Sequence, residues 1–450
     1  MKERKLNYIT LIIIHLLLGG ILFYAPFFAK IISFLILILG LSFIIKNRNR
    51  NNEVLYVSAY MISIEVLMRM TGGMFFNEFA KYSIIVFMMF GMFYSSFSKN
   101  AMIYWLFLLL LVPGIIISTT SLSLETDIRK AIAFNISGPV CLGISAIYCF
   151  RRKVTFEQLN LLVTTLSLPI VSLIVYLFLY TPSVRDVVVG TSSNFETSGG
   201  FGPNQVSTIL GFGIFAFFAL FLLNSKSKIL LLIHAFLTFV VAFRGIVTFS
   251  RGGVIAGVVM ILLLLFAVFR GAKGQAKFKI VVLSGFALLF SLSIWTYSSY
   301  QTKGLIDKRY ANEDAIGRKK EDNLGGREQL AKTELQMFLD SPLLGIGVGK
   351  NKEYREVTTG IQAASHNEVT RLLAEHGTLG ILALLILVLT PLILYLDNEK
   401  HLYVLPFFAF WLLTINHAAM RLAAPAFMYA LTLLKVYSHE KPAVHREQII

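Results

Sequence analysis

Residues 7–50 read NYITLIIIHLLLGGILFYAPFFAKIISFLILILGLSFIIKNRNR. It holds two apolar runs, 8–25 and 27–45, and the second ends in Lys46, Arg48 and Arg50. Each run is long enough to cross roughly 30 Å of hydrocarbon as a helix. Basic residues gathered at one end of such a helix pair mark a chain threaded back and forth through a membrane.

The same pattern continues along the chain. Further apolar runs fall at 54–70, 80–97, 101–118, 131–150, 159–180, 205–223, 229–249, 253–269, 280–298 and 379–396. A last stretch, 402–437, is interrupted by Asn416, His417 and Arg421 and is compatible with one helix, two short ones or a re-entrant turn. The chain is 56% hydrophobic and 15% charged with a mean hydropathy of +0.71, well beyond what a soluble core needs. The expected fold class is an all-α membrane protein of 12–14 transmembrane helices.

Lys and Arg fix the expected orientation. With the amino terminus inside, the inner turns receive Lys2, Arg4 and Lys5, then Lys46, Arg48 and Arg50, Lys99, Arg151, Arg152 and Lys153, Lys226 and Lys228, and Arg270, Lys273, Lys277 and Lys279. The short outer loops are poorer in basic residues, and the first helix, lacking a small-residue cleavage site, reads as a retained anchor. Three regions are expected: a helix bundle over 1–298, an extracytoplasmic loop over 299–378, and closing helices with a cytoplasmic tail over 379–450.

The net charge of +16 does not indicate nucleic acid. From Ser299 to Thr378 there are twelve Lys/Arg against twelve Asp/Glu, so the excess belongs mostly to the inner turns, where it serves topology and contact with membrane lipids. Cys141 and Cys149, eight residues apart in one expected helix, fit neither a disulfide nor a zinc site.

A loop as long as 299–378 calls for a function. Its first part, KGLIDKRYANEDAIGRKKEDNLGGREQ, is charge-mixed; LAKTELQMFLDSP reads as a short amphipathic helix stopped by Pro342. Gly345, Gly347 and Gly349 follow in LLGIGVGKN, with the spacing of a tight structural loop and not of a dinucleotide fingerprint. In SHNEVTRLLAEHG, 365–377, Ser365 and Glu368 form an expected capping box that starts a helix at His366, with Gly377 as its stop. That position favours a neutral imidazole, which a general base requires. Glu368, Arg371 and Glu375 share another face as an ion-pair ladder.

Arginine also occurs at the edge of hydrocarbon. In AFRGIVTFSRGGVIAG, Arg244 and Arg251 are expected on one helical face near the outer boundary, where an unpaired charge is expensive and an anion is the natural partner. Gly252 and Gly253 open the next helix and leave backbone amides suited to an oxyanion. Glu65 and Arg69 are spaced as a structural couple within one helix.

Taken in order, GGFGPNQVS (199–207), TFSRGG (248–253), GGREQ (325–329), SPLLGIGVGKN (341–351) and SHNEVTRLLAEHGTLGIL (365–382) resemble the O-antigen ligase and polymerase family of bacterial envelope membrane proteins. The resemblance covers roughly 195–390. It implies a glycosyltransferase of the membrane-embedded C class in the cytoplasmic membrane, with its site facing outside. The implied donor is an undecaprenyl-diphosphate-linked glycan and the acceptor a glycan, lipid A core or protein hydroxyl. No cofactor, nucleotide sugar, metal or nucleic acid is implied. Carried over, the Ser-Arg-Gly arginine is Arg251, the loop arginine Arg327 and the histidine of the His-Asn pair His366. Many family members place a tryptophan shortly after the loop arginine, and REQLAKTELQMF has none; Arg318 and Arg355 stand as alternatives.

One mechanism then fits both lines. His366 takes the proton of the acceptor hydroxyl, while Arg251 and Arg327 stabilise the leaving diphosphate and Arg244 helps grip it. A single displacement of this kind inverts the anomeric centre. Asn367 orients the histidine and Asn204 meets a sugar hydroxyl. The competing classes are a transporter or flippase of a polar or anionic solute, which also uses broken helices and intramembrane charge, and a structural membrane scaffold. Against the first, the two halves show no internal repeat and the polar chemistry gathers on the outer side.

Overall fold

A computed structural model describes residues 7–320, 327–360, 362–418 and 420–437. The helices, in chain order, are α1 (Tyr8–Tyr24), α2 (Phe28–Asn47), α3 (Glu53–Met70), α4 (Phe79–Ser95), α5 (Met102–Ser121), α6 (Ile128–Cys149), α7 (Phe156–Tyr180), the single turn α8 (Val184–Val187), α9 (Pro203–Leu223), α10 (Lys228–Ile246), α11 (Arg251–Gly271) and α12 (Gln275–Gln301). After them come α13 (Leu305–Tyr310), α14 (Arg327–Asp340), α15 (Asn351–Thr359), α16 (Glu368–Leu396), α17 (Val404–Ala418) and α18 (Ala424–Leu431). Two three-residue strands, β1 (Lys153–Thr155) and β2 (Lys435–Tyr437), pair in parallel.

Among the described residues nine helices are long and apolar enough to cross a membrane, and α1, α4 and α17 are shorter apolar helices. The protein is an all-α, multi-pass membrane protein. The last apolar stretch is two helices, α17 and α18, separated by a break. Leucine and phenylalanine side chains cover the outside of α1, α2, α5 and α12, as surfaces solvated by lipid require.

The connections sort into two faces. On one, Arg152 donates to the Ser96 carbonyl at 2.6 Å, Arg270 pairs with Glu399 at 3.2 Å, and the β1–β2 pairing joins the turn after α6 to the segment after α18. This face gathers the basic turns. On the other, Arg69 donates to the Arg421 carbonyl at 3.1 Å, Ser123 bonds Glu353, and Thr191 donates to the Glu313 carbonyl at 2.8 Å.

The structure gives form to the segment between α12 and α16. The glycines of LLGIGVGKN have φ of 74°, 96° and 82°, a region closed to most side chains. A Cβ on Gly345 would stand 2.4 Å from the Glu375 carbonyl carbon, so the loop lies directly on α16. Cys141 and Cys149 are free and buried within α6.

Candidate functional site

The turn from α10 to α11 is set by a close helix crossing. A Cβ on Gly211 would lie 1.8 Å from the Gly253 carbonyl oxygen, and one on Gly257 would lie 2.3 Å from that of Gly211, so α9 and α11 touch backbone to backbone. Only small residues allow this approach. Gly252 and Gly253 therefore serve packing: a Cβ at Gly252 would strike the His417 ring at 2.4 Å. Before the turn closes, buried Phe249 adopts φ 58°, a conformation that costs a bulky residue energy and recurs at functional sites.

A hydrogen-bonded row holds the turn. The Ser250 hydroxyl donates to Asn204 Oδ1 at 2.8 Å and lies 3.2 Å from His417 Nε2, while Ser207 donates to the Ser250 carbonyl at 2.6 Å. Ser250 has one proton and gives it to Asn204, so His417 Nε2 is the donor in the other contact. Arg251, the first residue of α11, is half-buried, with Nη1 3.5 Å from the Arg309 carbonyl. Arg309 Nε in turn donates to the Phe249 carbonyl at 3.0 Å. Burial pushes the Tyr310 hydroxyl up to about 12, against the opposing pull of the Arg251 and Arg309 guanidiniums beside it. Arg309 was not anticipated from sequence.

The second motif starts later than expected. Asn367 is the N-cap of α16, its side chain accepting from the amides of Val369 and Thr370 at 2.8 and 3.4 Å. The helix thus begins at Glu368. Ser365 Oγ is occupied by the Asn367 main chain, accepting from its amide at 3.3 Å and donating to its carbonyl at 3.0 Å, which leaves the cap to asparagine, an equally good capping residue. His366 stands half-buried in the bend before the cap and not at the first helical position. Asn367 contributes its amide oxygen to the cap.

The ladder is present and buried. Arg371 pairs with Glu368 through Nη2 and with Glu375 at 2.9 Å. Glu375 also accepts the Gly349 amide at 2.9 Å, tying the glycine loop to α16. The backbone breaks at Gly377, φ 60° and ψ −137°, where the helix was expected to stop, and continues as a membrane helix.

What joins the two motifs is the break between α17 and α18. Just before it, in the last turn of α17, His417 meets Ser250; beyond the helix, the Met420 amide donates to Glu368 at 3.3 Å and Arg421 Nη2 to the Ser365 carbonyl at 3.1 Å. From the far side Glu65 accepts the Ala423 amide at 2.8 Å, while its own partner Arg69, at 2.7 Å, donates to the Arg421 carbonyl. The Glu65–Arg69 couple of α3 therefore fastens this segment. Ser365, Glu368, Arg371, Met420 and Arg421 line a small pocket with Phe134 and Asn135 of α6. His417 and Arg421 stood out in sequence only as interruptions of an apolar run; polar side chains at that depth were the signal.

Other expected residues lie elsewhere. Arg244 and Arg251 are on different helices, separated by the turn 247–250, because the crossing of α9 and α11 forces a corner there. Arg244 is fully buried and donates to the Leu177 and Thr181 carbonyls at 2.6 and 2.7 Å, with its guanidinium 4.1 Å from the Phe178 ring centre. It closes the carbonyl end of α7, where the sequence suggested a phosphate grip. Arg327 begins α14, and its side chain lies outside the described residues. Arg355 is buried in a 2.7 Å pair with Glu334, whose carboxyl burial holds above the usual range. Arg318 is exposed beside Asp314 at 2.8 Å.

Residues 236–385 match the family described as O-antigen ligase. This stretch is similar to that family. The match spans one third of the chain and includes both the Ser250-Arg251-Gly252 turn and the Ser365-His366-Asn367 bend; Asn204, Glu65 and the 417–423 break lie outside it. The match supports glycan transfer of the O-antigen ligase type in general terms. No curated protein matches the chain.

Proposed function

We propose that the protein transfers a glycan from a polyprenyl-diphosphate carrier to an acceptor hydroxyl outside the cytoplasmic membrane, without a metal and with inversion. The supporting observation is the junction of α17 and α18, whose His417 meets the Arg251 turn and whose Arg421 meets the His366 bend. In this reading His366 removes the acceptor proton as the oxygen attacks the anomeric carbon. The bond from that carbon to the diphosphate oxygen breaks, and negative charge gathers on the leaving diphosphate. Arg251 stabilises that charge, with Arg309 beside it and Arg327 as the family's loop arginine. Asn204 and His417 hold the turn through Ser250. The basic face is cytoplasmic, both termini are inside, and the site opens on the opposite side.

The glycan profile of a deletion strain tests the proposal and separates its two forms. Loss of long chains with retention of single repeats identifies a polymerase; full-length chains stranded on the carrier identify a ligase. An unchanged surface glycan and carrier pool would overturn both.

A further inference from the structure

The helices α5 and α16 touch at one end and part at the other. Near the site face a Cβ on Gly114 would meet the His376 ring at 2.4 Å, so the two backbones are as close as side chains allow. Toward the basic face they diverge, opening a wedge of about 590 Å³. Leu106 and Leu110 of α5 and Leu385 and Leu389 of α16 line it, and all its walls are apolar except at one end and at Thr390. Along α16 it runs from Leu382 to Leu394, about 18 Å at 1.5 Å per residue. That is roughly the depth of one leaflet of hydrocarbon.

Its open end is charged. Asn100 and Arg151 stand there, with Lys99 exposed one residue before Asn100. The Arg151 backbone is fixed by its amide bond to the Leu433 carbonyl at 2.8 Å, while its side chain remains about half exposed. Asp397 is the acidic group nearby, 3.9 Å from the Arg151 guanidinium, and Lys435 reaches the Asp397 carbonyl at 2.9 Å. Counting Lys99, Arg151, Lys435 and Asp397, the mouth is net positive.

We infer that the wedge between α5 and α16 is a binding site for an anionic glycerophospholipid of the leaflet on the basic face, its acyl chain between the helices and its phosphate at Arg151. An apolar cleft one leaflet deep with cations at its mouth matches that molecule in both parts. The groove between α10 and α12, lined by Phe218, Phe221 and Phe286, has no charged residue in its lining and serves as the control. This inference does not depend on the glycan-transfer reading.

The test uses the full chain reconstituted in bilayers of equal phosphatidylglycerol and phosphatidylcholine, extracted gently, with retained lipid counted by native mass spectrometry. Phosphatidylglycerol should be retained in preference. Arg151→Ala should lower its retention about fivefold, the worth of one basic residue at an anionic surface. Leu389→Trp, which fills the wedge, should remove it, and Ala287→Trp in the control groove should not. Should Leu389→Trp fail to elute as a single species, Leu385→Phe takes its place. Equal retention of both lipids by the unmodified protein, or phosphatidylglycerol retention unmoved by both Arg151→Ala and wedge filling, overturns the site. So does preferential retention of an added polyprenyl phosphate that displaces phosphatidylglycerol.

Discussion

Arg371 and Arg251 both lie where helices leave an aqueous face, and they are enclosed in different ways. Arg371 is 4% exposed and bounded by two carboxylates on its own helix. Arg251 is half-buried, reaches a main-chain carbonyl at 3.5 Å, and has a second guanidinium for a neighbour, one that binds the carbonyl two residues before it. Burial between carboxylates closes Arg371 into the structure, whereas Arg251 keeps part of its surface exposed, within reach of an incoming anion. Arg244 and Arg355 belong with Arg371, since both are fully buried. On the proposed reading, this difference separates arginines that build the fold from Arg251, placed to meet a substrate.

Replacing Arg371 by alanine should have the largest effect on folding. It strands Glu368 and Glu375 in a buried position, a cost of about 3–5 kcal/mol, and loosens the Gly349 loop and the Met420 contact that depend on them. Loss of monodisperse protein in size-exclusion chromatography is expected; a normally folded variant would show that the ladder is dispensable. Arg251→Ala sharpens the contrast from the other side. Transfer should drop by about a hundred- to a thousandfold with little change in the thermal midpoint, and Arg251→Lys should restore little because a bidentate fork becomes a point charge. Unfolding on a par with Arg371→Ala would place Arg251 among the structural arginines.

Ser250→Ala probes the row that holds the turn. It removes the hydroxyl between Asn204 and His417, a loss of about 1–2 kcal/mol, and should slow transfer by about tenfold while donor binding persists. Full activity in the variant would mean that the row does not position Arg251. Arg318→Ala should do least: its guanidinium is exposed beside Asp314, and neither thermal midpoint nor transfer should move.

Much of this was legible in the chain, and what was not has a physical reason. Apolar runs report length and therefore membrane helices, and the spacing of Glu368, Arg371 and Glu375 or of Glu65 and Arg69 reports partners on the same helix. Gly345, Gly347 and Gly349 marked a tight loop because few other residues adopt its backbone. Periodicity carries no information about which helix lies beside which. The Gly211–Gly253–Gly257 crossing, the carbonyls that engage Arg244 and the approach of Arg309 to Phe249 are long-range facts of that kind. The cap was missed more narrowly: Ser365 and Asn367 are both good caps, and the choice between them depended on which oxygen the main chain already occupied. His417 and Arg421 were visible as polar residues in an apolar run, but their partners, Ser250 and Ser365, are distant in sequence.

The most direct test compares the two histidines of the 365–377 segment in a reconstituted transfer reaction with a polyprenyl-diphosphate glycan donor. His366 stands half-buried next to Ser365, whose carbonyl accepts from Arg421; His376 is 1% exposed, its ring packed on Gly114 with no hydrogen-bond partner among the described residues. His366→Ala should lose about a hundred- to ten-thousandfold in transfer, the range for a general base, while folding normally and still binding the donor. His376→Ala should lower the thermal midpoint through the cavity it leaves yet retain transfer per folded molecule. Full activity in His366→Ala, or equal loss in the two variants, would contradict the assignment of the base and with it the account of the site.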